Sequence, residues 1–192
     1  MGKSLKGTKT EKNLLTAFAG ESQARNRYTF FASKAKKEGF EQIAAFFTET
    51  ANNEKEHAER FFKFLEGGEL KIEGSFPAGK IGSTLENLKA SAAGEHHEWS
   101  VDYPNFADIA KQEGFDDISV VFKNIAIAEK HHEERYIELA DNVANEEVFT
   151  KDAPTKWVCR NCGYVYEGKQ ALDTCPACAH SKAYMELLAE NY

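Results

Sequence analysis

Apolar residues recur along the chain at steps of 4 and 3, the spacing of one face of an α-helix. Two of these apolar stripes, which we call seams, each contain a Glu-x-x-His pair. One seam comprises Ile43, Phe47, Thr50, Glu54, His57, Phe61 and Phe64, and the other comprises Ile118, Phe122, Ile125, Glu129, His132, Tyr136 and Leu139. Residues three apart lie on the same helix face. Each pair therefore presents a carboxylate and an imidazole side by side within an apolar surface, which is a two-point metal ligand.

Two further helices complete the pattern. A seam at Leu14, Phe18, Glu21, Arg25, Tyr28, Ala32 and Ala35 predicts a helix from about Glu11 to Glu38. Gly39 is typical of a helix C-terminal cap, so the second helix follows at once and lies antiparallel to the first. Residues 67–83, with five glycines and Pro77, have no helical period and predict a crossover. A third helix is predicted over 84–113 and a fourth over about 115–143.

The two halves of this helical region are an internal duplication. KEGFEQI at 37–43 returns as QEGFDDI at 112–118, an offset of 75, whereas Gly20-Glu21 returns as Gly94-Glu95 at an offset of 74. The third helix therefore contains one extra residue between Glu95 and Tyr103. A single inserted residue usually produces a π-bulge, often at a functional site. We predict a distortion around residues 98–100, favoured also by the nearby Pro104.

The four seams bring acidic residues to one level of the predicted core. The candidate ligands are Glu21, Glu54, His57, Glu95, Glu129 and His132, with Glu98 as a seventh beside the predicted bulge. A buried ion is costly unless it is compensated, and two histidines cannot neutralise five carboxylates. Two divalent or trivalent cations can, and carboxylate with imidazole suits iron or manganese better than zinc or copper.

Other polar residues near this level have two interpretations. Tyr28 and Tyr103 lie two helical turns past a seam glutamate and are either core tyrosines or hydroxyls that bond a ligating carboxylate; we favour the second. His131 is one position from His132 and is predicted to face solvent. His96 and His97, beside the bulge, fit the surface better than the site.

One glutamate from each of two helices and a Glu-x-x-His from each of the other two resembles the ferritin-like di-iron carboxylate proteins. The resemblance implies that Glu54 and Glu129 bridge two irons, with Glu21 and His57 on one iron and Glu95 and His132 on the other. Glu98 is then a surplus carboxylate able to exchange with His57.

The C-terminal part of the chain has a different character. The helical period stops after Asn145, and residues 147–155, with Pro154, are predicted to be a linker. Residues 156–192 carry two C-x-x-C pairs: Cys159, Cys162, Cys175 and Cys178. Four thiolates indicate a tetrahedral metal site, on which so small a domain depends for its folding.

The pattern does not identify the metal at this cysteine site, because zinc ribbons share it. The stretches CGYVY at 162–166 and CPAC at 175–178 resemble rubredoxin, whose iron carries single electrons. Two features depart from free-standing rubredoxins: only 12 residues separate the pairs, and Ala179 stands where glycine is usual.

Composition narrows the function classes. The chain has 24 Lys+Arg against 31 Asp+Glu, a net charge of -7, which argues against a nucleic-acid or anionic-membrane partner. We find no apolar leader segment and no run near the roughly 18 apolar residues of a membrane span. The sequence therefore predicts a cytoplasmic protein, in which paired cysteines hold a metal rather than disulfides.

Together these segments are similar to rubrerythrins over essentially the whole chain. The resemblance implies a mainly α fold: a ferritin-like four-helix bundle at 1–146 with a long crossover between helices 2 and 3, then a small β-containing rubredoxin-like domain at 156–192. It implies two irons in the carboxylate/histidine site and one in the four-cysteine site. It also implies a peroxidase that reduces hydrogen peroxide to water in oxidative-stress defence.

The same resemblance implies electrons from a separate NAD(P)H-linked reductase or a rubredoxin, so no nicotinamide site is expected, and a head-to-tail homodimer. Two other functions stay open from the residues alone. One is a ferroxidase that handles iron, which leaves the cysteine domain without a role. The other is a non-enzymatic scaffold with a structural zinc ribbon.

Overall fold

A computed structural model describes residues 3–192, which form five α-helices and a three-stranded sheet. The helices are α1 (Lys9–Lys37), α2 (Glu41–Phe62), α3 (Thr84–His97), α4 (Tyr103–Gln112) and α5 (Asp116–Ala144). No helix within residues 3–192 combines the length and the apolar character that crossing a membrane requires. The predicted mainly α fold with a long crossover between the second and third helices is confirmed, since no helix or strand lies between Phe62 and Thr84.

The predicted third helix is interrupted by a π-helical turn. This turn covers Glu98–Asp102 and joins α3 to α4. It lies where the duplication requires one extra residue, so the predicted distortion around residues 98–100 is confirmed. The fourth predicted helix is α5.

The first helix of each half ends at a glycine with a positive φ. Gly39 has φ 84 and Gly114 has φ 78. After each glycine, the next backbone N–H bonds back into the helix: Phe40 donates to the Ala35 carbonyl at 2.9 Å, and Phe115 to that of Ala110 at 2.8 Å. These caps reverse the chain within a few residues, so α1 packs against α2, and α3 and α4 pack against α5.

Two glutamates tie the halves together reciprocally. Glu38, at the end of α1, accepts a hydrogen bond from the backbone N–H of Thr84 at the start of α3, at 2.7 Å. Its counterpart Glu113, after α4, accepts from the backbone N–H of Thr10 at the start of α1, at 2.8 Å, and from the Thr10 hydroxyl at 2.7 Å. A carboxylate at a helix N-terminus satisfies free N–H groups and complements the helix dipole.

The apolar core of the bundle consists of two clusters. One contains Tyr28, Phe47, Leu88 and Tyr136, and the other contains Leu14, Phe61, Tyr103 and Phe122. Along α1, along α2, along α5 and along α3 continued by α4, the predicted ligands fall between residues of the first cluster and residues of the second. We call this level, which holds Glu21, Glu54, His57, Glu95, Glu129 and His132, the metal layer. The predicted position of Arg25 on the α1 seam is wrong: Arg25 is exposed and Ala24 is buried in its place.

The C-terminal sheet has the strand order β2-β1-β3, with β1 (Thr150–Cys159) antiparallel to β2 (Val165–Gln170) and β3 (Met185–Leu187). The sheet begins inside the segment predicted as linker, since β1 starts at Thr150. Phe149, just before it, packs with the buried Trp157 in the core of this domain and stacks on Phe40 of the bundle, with ring centroids 6.0 Å apart. Residues 145–149 connect α5 to β1.

Candidate metal centres

Two clusters of possible metal ligands lie side by side in the metal layer. The first consists of Glu21, Glu54, His57 and Glu129, and the second consists of Glu54, Glu95, Glu129 and His132. Within each cluster the ligand atoms lie within 4.8 Å of one another. Glu54 and Glu129 belong to both clusters. The structure therefore brings together six of the seven predicted residues in the arrangement of two metals that share two carboxylates.

The two imidazoles approach the shared carboxylates closely. His57 Nδ1 lies 2.9 Å from Glu54 Oε2 and 2.9 Å from Glu129 Oε1, and it lies 3.8 Å from Glu21 Oε1. His132 Nδ1 lies 2.8 Å from Glu129 Oε2 and 3.3 Å from Glu54 Oε1. It lies 3.8 Å from Glu95 Oε2. The near two-fold symmetry of these distances follows from the duplication of the Glu-x-x-His helices.

Many carboxylate and imidazole atoms of the metal layer are buried without a hydrogen bond. This observation shows whether the site suits metal ions. Within residues 3–192 the unpartnered atoms include Glu21 Oε2, Glu54 Oε1, Glu95 Oε2, both Glu129 oxygens and His132 Nδ1. The side chains of Glu21, Glu54, Glu95 and Glu129 are at most 1% exposed. Buried polar atoms normally have partners. Carboxylate and imidazole atoms that converge without hydrogen bonds fit metal coordination, so the residues fit a pair of irons.

The pKa shifts in the layer also indicate that its buried carboxylates require compensating positive charge. Burial, with repulsion from neighbouring carboxylates, raises the pKa of Glu21 well above its ordinary value and the pKa of Glu95 to about 8. Burial lowers the pKa of the imidazoles, but the nearby carboxylates of Glu129 and Glu54 outweigh it. They raise the pKa of His57 to about 10 and of His132 to about 12. These shifts have one cause, a buried excess of carboxylates that calls for compensating positive charge.

Two buried tyrosines bond the terminal carboxylates, as predicted for Tyr28 and Tyr103. The Tyr28 hydroxyl donates to Glu95 Oε1, and the Tyr103 hydroxyl donates to Glu21 Oε1. Each tyrosine therefore bonds the glutamate of the other half of the duplication. Such bonds hold a carboxylate in one orientation and lock the halves together at the metal layer.

Glu98 lies outside both ligand clusters. It opens the π-helical turn and is partly buried, and it lines a cavity together with Gly20, Gly94 and Tyr103. Burial and the charges of Glu95 and Glu129 raise its pKa well above the ordinary value. Glu98 thus lies outside the two clusters but close enough for their carboxylates to raise its pKa.

The π-helical turn is anchored to α5 by a residue pair that the sequence analysis missed. Trp99 Nε1 donates to Glu133 Oε2, while the other oxygen of Glu133 lies 3.0 Å from Nδ1 of the exposed His96. Glu133 directly follows the ligand candidate His132, and its counterpart in the first half is Ala58. Comparing the two halves position by position would have singled it out. His97 and His131 are exposed, as predicted.

The four cysteines converge in the C-terminal domain. Their sulfur atoms lie within 4.8 Å of one another, with 3.7 Å between Cys159 and Cys178 and 3.7 Å between Cys162 and Cys175. A tetrahedral metal with metal–sulfur bonds of about 2.3 Å requires sulfurs about 3.8 Å apart. The pKa of the Cys178 thiol is lowered to about 6, chiefly because the backbone N–H of His180 donates to its sulfur. The spacing fits one tetrahedral metal ion.

Comparison with known proteins places both sites in one family. The family model described as Rubrerythrin matches residues 12–140, which include all six residues of the metal layer. The chain belongs to the rubrerythrin family. A second model, described as Rubrerythrin, rubredoxin-like domain, matches residues 157–186 and includes the four cysteines. As a rubrerythrin family member, the chain has a di-iron carboxylate/histidine site and a rubredoxin-type four-cysteine iron site.

Individual relatives are similar along the whole chain. The rubrerythrin of Nitratidesulfovibrio vulgaris is 60% identical over 190 residues, which cover 99% of this chain and 100% of that protein. The rubrerythrin of Porphyromonas gingivalis is 61% identical over 192 residues, covering 100% and 96%. A structure of fully reduced, all-ferrous nigerythrin is 31% identical, with a TM-score of 0.63 over 97% of this chain and 92% of that one. A bacterioferritin from Desulfovibrio desulfuricans, 24% identical with a TM-score of 0.63 over 72% of this chain and 82% of that one, shares the ferritin-like fold.

Proposed function

We propose that the protein is a non-haem di-iron peroxidase that reduces hydrogen peroxide to water. Its electrons would come from a separate NAD(P)H-linked reductase or a rubredoxin, through the four-cysteine iron. The observation that carries the proposal is the presence on one chain of a buried carboxylate/histidine metal layer and a separate four-thiolate site. The reaction consumes one peroxide, two electrons and two protons and releases two water molecules. When bound, the iron pair supplies the two electrons for breaking the O–O bond.

The protein's own residues have distinct roles in this proposal. Glu54 and Glu129, which belong to both ligand clusters, would hold both irons, and Glu21, His57, Glu95 and His132 would each hold one. Tyr28 and Tyr103 orient Glu95 and Glu21 through their hydroxyl hydrogen bonds. The apolar clusters cover the layer on the two sides along the bundle axis. Glu98 stands next to the layer as a carboxylate able to replace His57.

The exposure of the cysteine site supports delivery of electrons from outside. Cys162 is exposed and Cys178 is partly exposed, whereas Cys159 and Cys175 are buried. A donor protein can therefore approach one side of the site while the other side packs in the domain core. We further propose a cytoplasmic role in oxidative-stress defence and a head-to-tail homodimer, in which this site serves the metal layer of the other chain.

The experiment compares two metal forms of the same protein. One carries iron at both sites, and the other carries iron in the metal layer and zinc at the four cysteines, which keeps the tetrahedral site but transfers no electrons. Both reduced forms are mixed anaerobically with hydrogen peroxide by stopped flow. We expect both to consume peroxide in a single turnover, and only the all-iron form to turn over repeatedly with a reductase. Equal steady-state rates would contradict the proposed electron route.

Further measurements on the same protein separate the peroxidase from the two alternative functions. A ferroxidase would react faster with oxygen than with peroxide and would take up iron beyond two ions per layer. A structural zinc ribbon would lack the red absorption of a four-thiolate iron after expression with iron. The four-thiolate domain favours the peroxidase over the ferroxidase, because only the peroxidase uses it.

A further inference from the structure

Each of the four glutamates of the metal layer directly follows, in sequence, a residue that lines one of two cavities. These residues are Gly20, Asn53, Gly94 and Ala128. Asn53 and Ala128 line a groove of about 320 Å³ between α2 and α5, which we call the α2–α5 groove. Gly20 and Gly94 line a larger cavity of about 620 Å³ between α1 and α3, which we call the α1–α3 cavity. Because α1 packs on α2 and α3 packs on α5, the two cavities lie on opposite sides of the bundle.

The α1–α3 cavity is lined both by the crossover and by residues adjacent to the metal layer. Residues 74–77 of the crossover form part of its lining at one end. Glu98 and Tyr103 line it as well, and Tyr103 bonds the ligand candidate Glu21. The cavity therefore lies next to the layer on the side of Glu21 and Glu95, separated from those carboxylates by the residues that line it. The α2–α5 groove instead reaches the imidazoles His57 and His132.

The two glycines are not required by close packing. Glycine is an unfavourable residue inside a helix, yet Gly20 lies within α1 and Gly94 within α3. A Cβ at Gly20 would meet only Glu98 Oε1, at 3.9 Å, and a Cβ at Gly94 would meet only Arg27 Nη2, at 3.9 Å. Both distances are ordinary contacts, so alanine would fit at either position. What the missing methyl groups leave is open space beside Glu98 and Arg27.

The cavity also offers a free polar group. Arg27 lines it, and Arg27 Nε is buried with no hydrogen-bond partner in residues 3–192. The guanidinium group of Arg27 carries N–H donors that suit a small oxygen-containing molecule able to accept a hydrogen bond. Hydrogen peroxide, with two oxygens that each donate and accept, matches this donor and the nearby Glu98 carboxyl group.

We propose that the α1–α3 cavity is the route by which peroxide reaches the metal layer, and that Gly20 and Gly94 set the size of the peroxide that passes. The proposal rests on the proposed peroxidase function. It assigns the α2–α5 groove no part in substrate access, although His57 and His132 of the layer line that groove.

The test uses Gly20→Ala and Gly94→Ala, with Ala128→Val in the α2–α5 groove as the matched control. Each change enlarges the residue just before a glutamate of the layer. Reduced protein is mixed with hydrogen peroxide and with tert-butyl hydroperoxide. We expect each alanine variant to lower the rate constant for the bulky peroxide about tenfold more than that for hydrogen peroxide. Ala128→Val should leave the ratio of the two rate constants unchanged.

A second measurement separates access from damage to the site. Azide binding to the oxidised protein is followed by stopped-flow absorption. Narrowing a route slows association and dissociation equally, so the Kd should stay constant while both rates fall in the glycine variants. Slower azide binding in Ala128→Val alone, with the glycine variants unaffected, would overturn the proposal. A wild-type protein inert to peroxide would instead refute the peroxidase function, and the azide rates would still test the route.

Discussion

The two turns of the four-cysteine site share a backbone conformation but differ in one methyl group. Gly163 follows Cys162 with φ 78, and its N–H donates to the Cys159 carbonyl at 2.8 Å. Ala179 follows Cys178 with φ 58, and its N–H donates to the Cys175 carbonyl at 2.9 Å. A non-glycine residue in this left-handed region destabilises the folded state by about 1–2 kcal/mol. Ala179→Gly should remove that strain, and Gly163→Ala should introduce it.

The net effect includes the unfolded chain. Glycine makes the unfolded chain more flexible, which offsets roughly 0.4–1 kcal/mol of the gain. No atom lies within 4 Å of a Cβ built at Gly163, so the alanine there brings strain without a clash. We therefore expect Gly163→Ala to destabilise the domain by about 0.5–1 kcal/mol and Ala179→Gly to stabilise it by a similar amount. Since metal binding and folding are coupled in so small a domain, metal affinity reports this difference.

The assay is competition for zinc between the full-length protein and a chromophoric chelator. The expected change is about a two- to fivefold loss of affinity for Gly163→Ala and a similar gain for Ala179→Gly. Ala177→Gly is the control, because Ala177 lies in the same turn without a positive φ. There the substitution to glycine should weaken binding slightly. If Ala177→Gly and Ala179→Gly shift the affinity in the same direction, backbone strain is not the cause.

Two further predictions concern the bundle. Tyr103→Phe removes the buried donor to Glu21 and should lower the unfolding free energy of the iron-free protein by about 1–2 kcal/mol in urea; an unchanged midpoint and slope would show that this bond adds no stability. Partial burial raises the pKa of Glu38, but hydrogen bonds from Lys34 and Thr84 outweigh it and lower the pKa. Its stabilising effect is therefore present above the ordinary carboxyl pKa and is lost as the pH falls through the lowered value. The stability difference between wild type and Glu38→Gln should shrink below about pH 4.5 in acid titrations, and a difference that grows on acidification would contradict this.

Much of the metal layer could be predicted from the sequence, because the spacing of residues along an α-helix determines which face each side chain lies on. Glu54 and His57 had to share a face, and the apolar residues before and after them placed that face in the core. The duplication then located Glu129 and His132 and revealed the extra residue that forms the π-helical turn. The cysteine pairs likewise indicated a tetrahedral site from spacing alone, because each C-x-x-C turn is local.

The rest depended on distances between residues far apart in the chain. Periodicity placed Tyr28 and Tyr103 near the layer, but only the packing of the helices decided that each bonds the glutamate of the other half. The same packing left Glu98 outside the ligand clusters and opened the cavity beside Gly20. The sequence by itself determined which residues face inward, since that follows from local helical geometry. The tertiary structure alone decided which of them meet and where space remains, because contacts across the bundle depend on how whole helices are placed against one another.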